Sequence, residues 1–173
     1  MKTKRLISII LVISLMTLTA YYFYPENPLP LNTKIDSLVV YKSKRVLQAY
    51  SNGQVIKIYK ISLGKHPIGD KEFEGDKRTP EGLYFINDKN SNSGYYKNLG
   101  ISYPNKNDIK QSKELGKSTG GDVKIHGLRN GLGLLGKLQR WIDWTAGCIA
   151  LTDQEVEELY NAVAIGTPID IKP

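Results

Sequence analysis

The chain holds one thiol, Cys148, and two imidazoles, His66 and His126. A thiolate, not a thiol, is the nucleophile, and a neighbouring imidazole is the usual means of generating it. Such a pair needs the sulfur within hydrogen-bond reach of a ring nitrogen and a third group to hold the ring. A backbone carbonyl suffices for that, and the one near Gly127 is closest to hand. Gly127 follows His126 and Gly147 precedes Cys148. Glycine at both places lets a substrate approach the backbone and leaves amide N–H groups free to face an oxyanion. His66, between Lys65 and Pro67, reads as a solvated loop residue. A single cysteine forms no internal disulfide and no multi-cysteine zinc site, and the two histidines are too far apart in sequence to suggest a histidine-based one. On residue types alone the other reading stays open: a structural cysteine and an unrelated surface histidine.

Positioning such a pair takes a fold, and alternation says which way each residue points. If Val123 and Ile125 face a core, Lys124 and His126 face the other side; if Ile149 and Leu151 do, Cys148 and Ala150 face away. Further strands are expected at Leu38–Tyr41, Val46–Tyr50, Val55–Ile61, Leu83–Ile86, Leu99–Tyr103 and Pro168–Ile171, with Asn52-Gly53 closing a hairpin. Residues 87–121 read otherwise as polar loop with a short helix around Asp108–Leu115. One helix is well signalled: Thr152 and Glu155 form a capping box, Val156, Leu159, Tyr160 and Val163 share a face, and Gly166 lies past the end. The expected class is mainly β, a β-rich α+β fold with one helix in the C-terminal region. The length of 173 residues and 40% hydrophobic content suit one domain with a core, and exclude disordered, collagen-like and polytopic membrane chains.

Lys2, Lys4 and Arg5 precede a stretch, Leu6–Tyr24, that carries no charge. At about 1.5 Å per helical residue it reaches roughly 28 Å, the thickness of a hydrocarbon core. Residues 1–24 are therefore expected to form a single-pass anchor with its basic end in the cytoplasm and Tyr21, Tyr22 and Tyr24 at the outer interface. A cleaved signal peptide, giving a secreted domain, is the competing reading; Leu18-Thr19-Ala20 lacks the small residue its first position needs. Residues 25–33 read as a stiff Pro-rich spacer and 34–173 as the outer domain. With three basic residues inside and all 17 acidic ones beyond Tyr24, the outer part carries a net charge of +4. That suits an anionic surface or a carboxylate-rich polymer, and no basic stripe argues for nucleic acid.

The series His126-Gly127 then Thr145-Ala146-Gly147-Cys148-Ile149 resembles the HG…S-x-G-C-[IV]-R signature of the L,D-transpeptidase catalytic domain. Leu63-Gly64, Pro67-x-Gly69, Gly75-Asp76-x-Arg78-Thr79-Pro80-Glu81-Gly82 and Ile101-Ser-Tyr-Pro104 are similar to that family too, and Asp143–Ala150 to its membrane-anchored murein branch. The resemblance implies a sandwich-like β fold with Cys148 in a cleft under a mobile loop or lid. It implies attack by sulfur on the third-residue carbonyl of a peptidoglycan stem tetrapeptide, loss of D-alanine, and a thioester resolved by an amine or water. His126 would be general base, Gly127 the ring-orienting carbonyl, and the Gly147 and Cys148 N–H groups the oxyanion donors; Tyr103, Arg129, Trp144 and Thr145 would be substrate-contacting. No metal or cofactor is implied. The implied partners are stem peptides, a lipoprotein as acceptor or substrate, and the inner membrane.

Two positions depart from the family pattern. Ala146 stands where His is frequent and Ala150 where Arg is usual, so another cation is needed, with Arg129 and Arg140 available. Trp141 and Trp144 are expected to pack under the cysteine-bearing loop, and Asp76 to pair with Arg78. The same chemistry with water as acceptor gives an L,D-carboxypeptidase or a hydrolase releasing a wall-linked lipoprotein. Ala146 and Ala150 also motivate a non-catalytic wall-binding module, and the lone thiol a redox protein.

Overall fold

A computed structural model describes residues 2–173. The strands are Ser37–Tyr41 (β1), Val46–Ser51 (β2), Gln54–Lys60 (β3), Gly82–Ser93 (β4), Tyr96–Ile101 (β5), Lys124–His126 (β6), Ile149–Ala150 (β7) and Pro168–Lys172 (β8). Helices cover Lys2–Phe23 (α1), Lys106–Glu114 (α2) and Asp153–Ala162 (α3), and a kinked 3₁₀ segment runs over Gly133–Trp141. The strands make one curled sheet in the order β3-β2-β1-β8-β4-β5-β6-β7, antiparallel except at β1–β8 and β6–β7. The mainly β fold expected from the pattern is the one observed.

Local chemistry explains several elements. Asn52 and Gly53 take φ of 51° and 73°, the left-handed pair that a two-residue hairpin turn requires, and fold β3 onto β2. The Thr152 hydroxyl accepts the Glu155 N–H while the Glu155 carboxylate accepts the Thr152 N–H, closing the capping box of α3. Val156, Leu159 and Val163 are then fully buried against the sheet, where Leu38, Val40, Leu47, Ala49, Ile86, Leu99, Ile125, Ile149, Ile169 and Ile171 supply the core. Each such aliphatic chain removed from water stabilises the fold by about 1.5–3 kcal/mol.

β4 extends far beyond the expected Leu83–Ile86. Its first half pairs with β8 and, after an irregularity between Ile86 and Asp88, its second half pairs with β5. That outer half is solvated on both faces, so it shows no hydrophobic alternation, and the hairpin tip it forms stands beside the site described below. α2 is a second helix in the outer domain, opened by an Asn105–Asp108 capping box.

The end of α1 is fastened to the rest of the chain. Tyr22 donates its hydroxyl to the Leu134 carbonyl at 2.6 Å, the Lys137 ammonium reaches the Tyr24 carbonyl, and the Tyr21 and Trp141 rings lie 5.9 Å apart. Glu26 pairs with Arg140 at 2.8 Å and Lys137 at 3.3 Å, and Leu29 packs on the core. Trp141 thus stands at the foot of α1, 62% exposed, and not under the cysteine-bearing loop. The 3₁₀ kink carries it there.

Candidate active site

β6 and β7 run parallel with Ile125 opposite Ile149 and His126 opposite Ala150. Burying the two isoleucines turns His126 and Cys148 into one cleft of about 550 Å³. Its walls come from the 3₁₀-to-β7 loop (Trp144, Thr145, Ala146), the β4–β5 hairpin tip (Asn92, Gly94, Tyr95) and Asn98 on β5. Lys65, Lys77 and Lys124 supply its positive charge, Lys124 being held by Asp122 at 2.7 Å.

His126 is buried in the cleft wall, its ring 4.7 Å from Tyr95 and 5.6 Å, edge-on, from Trp144. Its Nδ1 lies 2.7 Å from the Gly127 carbonyl oxygen. A carbonyl only accepts, so Nδ1 carries the proton and Nε2 of the neutral ring is left as the acceptor. Burial holds the imidazole pKa below its ordinary 6.5, against the opposing Gly127 bond. Cys148 is half-buried, and its thiol donates to the Asp122 carbonyl at 3.8 Å. Burial pushes the thiol up from its ordinary 9.0, with the Lys124 N–H opposing. Burial thus favours the neutral form of each group.

Thr145 fixes the turn before the sulfur. Its hydroxyl donates to the Cys148 carbonyl at 2.7 Å and accepts the Gly147 N–H at 3.1 Å. The Gly147 amide, expected as an oxyanion donor, is therefore engaged, whereas the Cys148 N–H carries no hydrogen bond among the described residues. Gly147 itself sits at φ +135°, and a Cβ there would lie 2.7 Å from the Arg78 carbonyl oxygen. Gly147→Ala is expected to cost about 1–3 kcal/mol and to displace the sulfur. A lowered melting temperature together with slowed alkylation of Cys148 checks it.

Other expected residues fall elsewhere. Tyr103 continues the core-facing series Leu99, Ile101, Tyr103 and donates its hydroxyl to the Thr119 carbonyl at 3.1 Å, so it belongs to the core and not the cleft. Arg129 is exposed outside the cleft, and Arg140 is buried between Glu26 and Glu155. Ala150, opposite His126 in the ladder, is fully covered, its backbone paired with Ser62 at 3.0 and 2.8 Å. Asp76 turns inward to Lys71 at 2.7 Å and accepts the Arg78 backbone N–H, while the Arg78 guanidinium meets Glu72 at 3.1 Å. Trp144 and Thr145 do stand at the cleft.

The hairpin tip and Asn98 were not foreseen. Asn98 lies opposite His126 in the β5–β6 ladder, and its side-chain oxygen is buried without a partner among the described residues. The Gly127 N–H to the Tyr95 carbonyl (3.1 Å) and the Asn130 N–H to the Gly94 carbonyl (3.0 Å) pin the tip over the histidine strand. The only hint of it in sequence is the Ser93-Gly94 turn pair ahead of two tyrosines.

Known proteins resemble this chain in sequence and fold. The chain is 29% identical over 131 residues to the Escherichia coli K12 protein named "Putative L,D-transpeptidase YafK", covering 72% of this chain and 45% of that one. The chain thus spans about half the length of the curated relatives it matches. Among solved structures, the helical cell shape determining protein Pgp2 of Campylobacter jejuni superposes with a TM-score of 0.60 at 27% identity, over 82% of this chain and 49% of that one. An L,D-transpeptidase from Mycobacterium smegmatis has a TM-score of 0.53 at 16% identity, over 79% and 58% of the two chains, and shares the fold. The family model of YkuD, the L,D-transpeptidase catalytic domain, matches residues 36–171, and the chain belongs to that family.

Proposed function

We propose that residues 34–173, the domain of a peptidoglycan-modifying enzyme by family, transfer the acyl group of a stem peptide through a thioester on Cys148. The observation that carries the reading is an imidazole of fixed tautomer at the end of β6 and a thiol just ahead of the parallel β7, lining one cleft. The Cys148 thiol rests against the Asp122 carbonyl with no hydrogen bond to His126. It turns to Nε2 and passes its proton there as sulfur bonds to the third-residue carbonyl carbon, and the oxygen takes the negative charge facing the Cys148 N–H. Burial disfavours the charged form of both groups, which favours proton transfer accompanying attack over a standing ion pair. Collapse breaks the C–N bond, and His126 returns its proton to the departing D-alanine amine. An amine of a second stem, or water, then gives its proton to His126, attacks the thioester and releases the sulfur as thiol. Lys65, Lys77 and Lys124 favour a carboxylate-bearing substrate, and the Asn98 oxygen is an acceptor for a peptide N–H.

α1, the one helix among the described residues long and apolar enough to cross a bilayer, serves in this reading as an uncleaved anchor. Its basic end faces the cytoplasm and the catalytic domain faces the cell wall.

Mass spectrometry of disaccharide-tetrapeptide incubated with the chain is expected to show released D-alanine, with none from Cys148→Ala. Cross-linked or exchanged products assign transfer, and a tripeptide product alone assigns hydrolysis. A folded sample that binds sacculi yet releases nothing overturns the enzyme in favour of a binding module.

A further inference from the structure

We propose that the 3₁₀ segment and its flanks form a lipid-contact surface that seats the catalytic domain on the bilayer at the foot of α1. The proposal rests on α1 being a retained membrane helix. Leu134, Trp141 and Ile142 are 88%, 62% and 67% exposed, and Leu132 and Leu135 add two half-exposed side chains on the same short segment. Ile58 on the edge strand β3, 55% exposed, flanks Tyr21 and Tyr24 in the adjoining cleft. Scattered apolar side chains on a surface carry no message, but a cluster at the mouth of an apolar helix does.

The occupant follows from depth. A 22-residue helix is about 33 Å long, so when its apolar stretch fills the hydrocarbon core, Tyr21 and Tyr22 lie at the headgroup boundary. Trp141 is one ring contact, 5.9 Å, from Tyr21, and the Tyr22 hydroxyl binds the Leu134 carbonyl directly. Groups this close to the two tyrosines share their depth, within the 5–10 Å or so over which interfacial side chains enter lipid. Charge does not oppose the placement: of the cations beside the patch, Lys137 and Arg140 are paired with Glu26, and Lys60 suits an anionic headgroup layer. Tryptophan with leucine and isoleucine beside it is a composition suited to the boundary layer of a bilayer.

The chain has only two tryptophans, Trp141 and Trp144, and the second lines the catalytic cleft. The full chain is reconstituted in phosphatidylcholine–phosphatidylglycerol vesicles whose acyl chains are brominated near the headgroups. Trp144→Phe leaves Trp141 as sole reporter, and Trp141→Phe leaves Trp144. Bromolipid is expected to lower Trp141 emission by about twofold and to leave Trp144 emission unchanged. Adding Leu134→Glu and Ile142→Glu, both at exposed positions, is expected to relieve the quenching. Chain retained through a carbonate wash with Trp141 unquenched overturns the seat and leaves the anchor standing. Chain released by the wash overturns the anchor and the seat with it. Unquenched, blue-shifted Trp141 with cross-linking between chains gives the surface to a second copy and overturns the lipid contact.

Discussion

His126→Ala is expected to slow acylation of Cys148 by about 10²–10⁴-fold, the usual contribution of a positioned general base. The accompanying pH profile distinguishes loss of a base from loss of shape. In the unaltered chain the reaction falls in acid as His126 takes up a proton, and burial places that fall below pH 6.5. The rate rises again toward alkaline pH as the thiol, which burial has raised above 9.0, ionises without help. His126→Ala keeps the alkaline rise and loses the acid limb. Rates of D-alanine release and of iodoacetamide alkylation, followed across the same pH range, read both limbs. An acid limb that survives the substitution assigns it to another group and ends the pairing.

Arg140→Met is expected to destabilise the fold by about 3–5 kcal/mol, because it strands a buried carboxylate. Arg140 and Glu155 meet at 2.7 Å with side chains only 6% exposed each, and the same guanidinium holds Glu26. Burial already pushes the Glu155 carboxyl above its ordinary 4.5, and Arg140 is the main opposing influence. Without it, the folded state holds a proton on Glu155 that the unfolded chain releases. A folded pKa raised in this way favours folding below 4.5 and loses that advantage as pH rises through the folded value. The deficit is therefore expected to be smallest near pH 4.5 and largest near neutrality, where the melting temperature falls by roughly 10 °C. Adding Glu155→Gln, which can still close the capping box, is expected to restore much of the loss. Thermal melts at pH 4.5 and 7.5 on the three chains test the sign.

What the sequence made legible depended on where the information is held. Asn52-Gly53 and the Thr152/Glu155 box are settled by neighbours in the chain, and both were readable. His126 and Cys148 were readable because Ile125 and Ile149 are core residues one position away, so alternation fixes their direction. The outer half of β4 was not, since a strand solvated on both faces has no period and is recognised only by its pairing with β5. That the Gly147 N–H is engaged by Thr145 is not legible, being a matter of turn geometry and not of residue type. Tyr103 lies on the core side of its own series, which the alternation Leu99, Ile101, Tyr103 already carries and which the family likeness obscures. Ala150 lies beside His126 as alternation expects but is covered, and the bridge to Ser62, just past β3 and far away in the chain, is beyond any local pattern. Arg140 and Glu26 meet across more than a hundred residues, beyond the reach of any local pattern.

The clasp made by the Thr145 hydroxyl has a mechanical consequence. With its neighbour's amide occupied, the sulfur that attacks in the proposed reaction and the N–H proposed to receive the developing charge belong to one amino acid. Backbone displacement of the surrounding loops carries both together, so that only rotation about the Cys148 Cα–Cβ bond changes their mutual alignment.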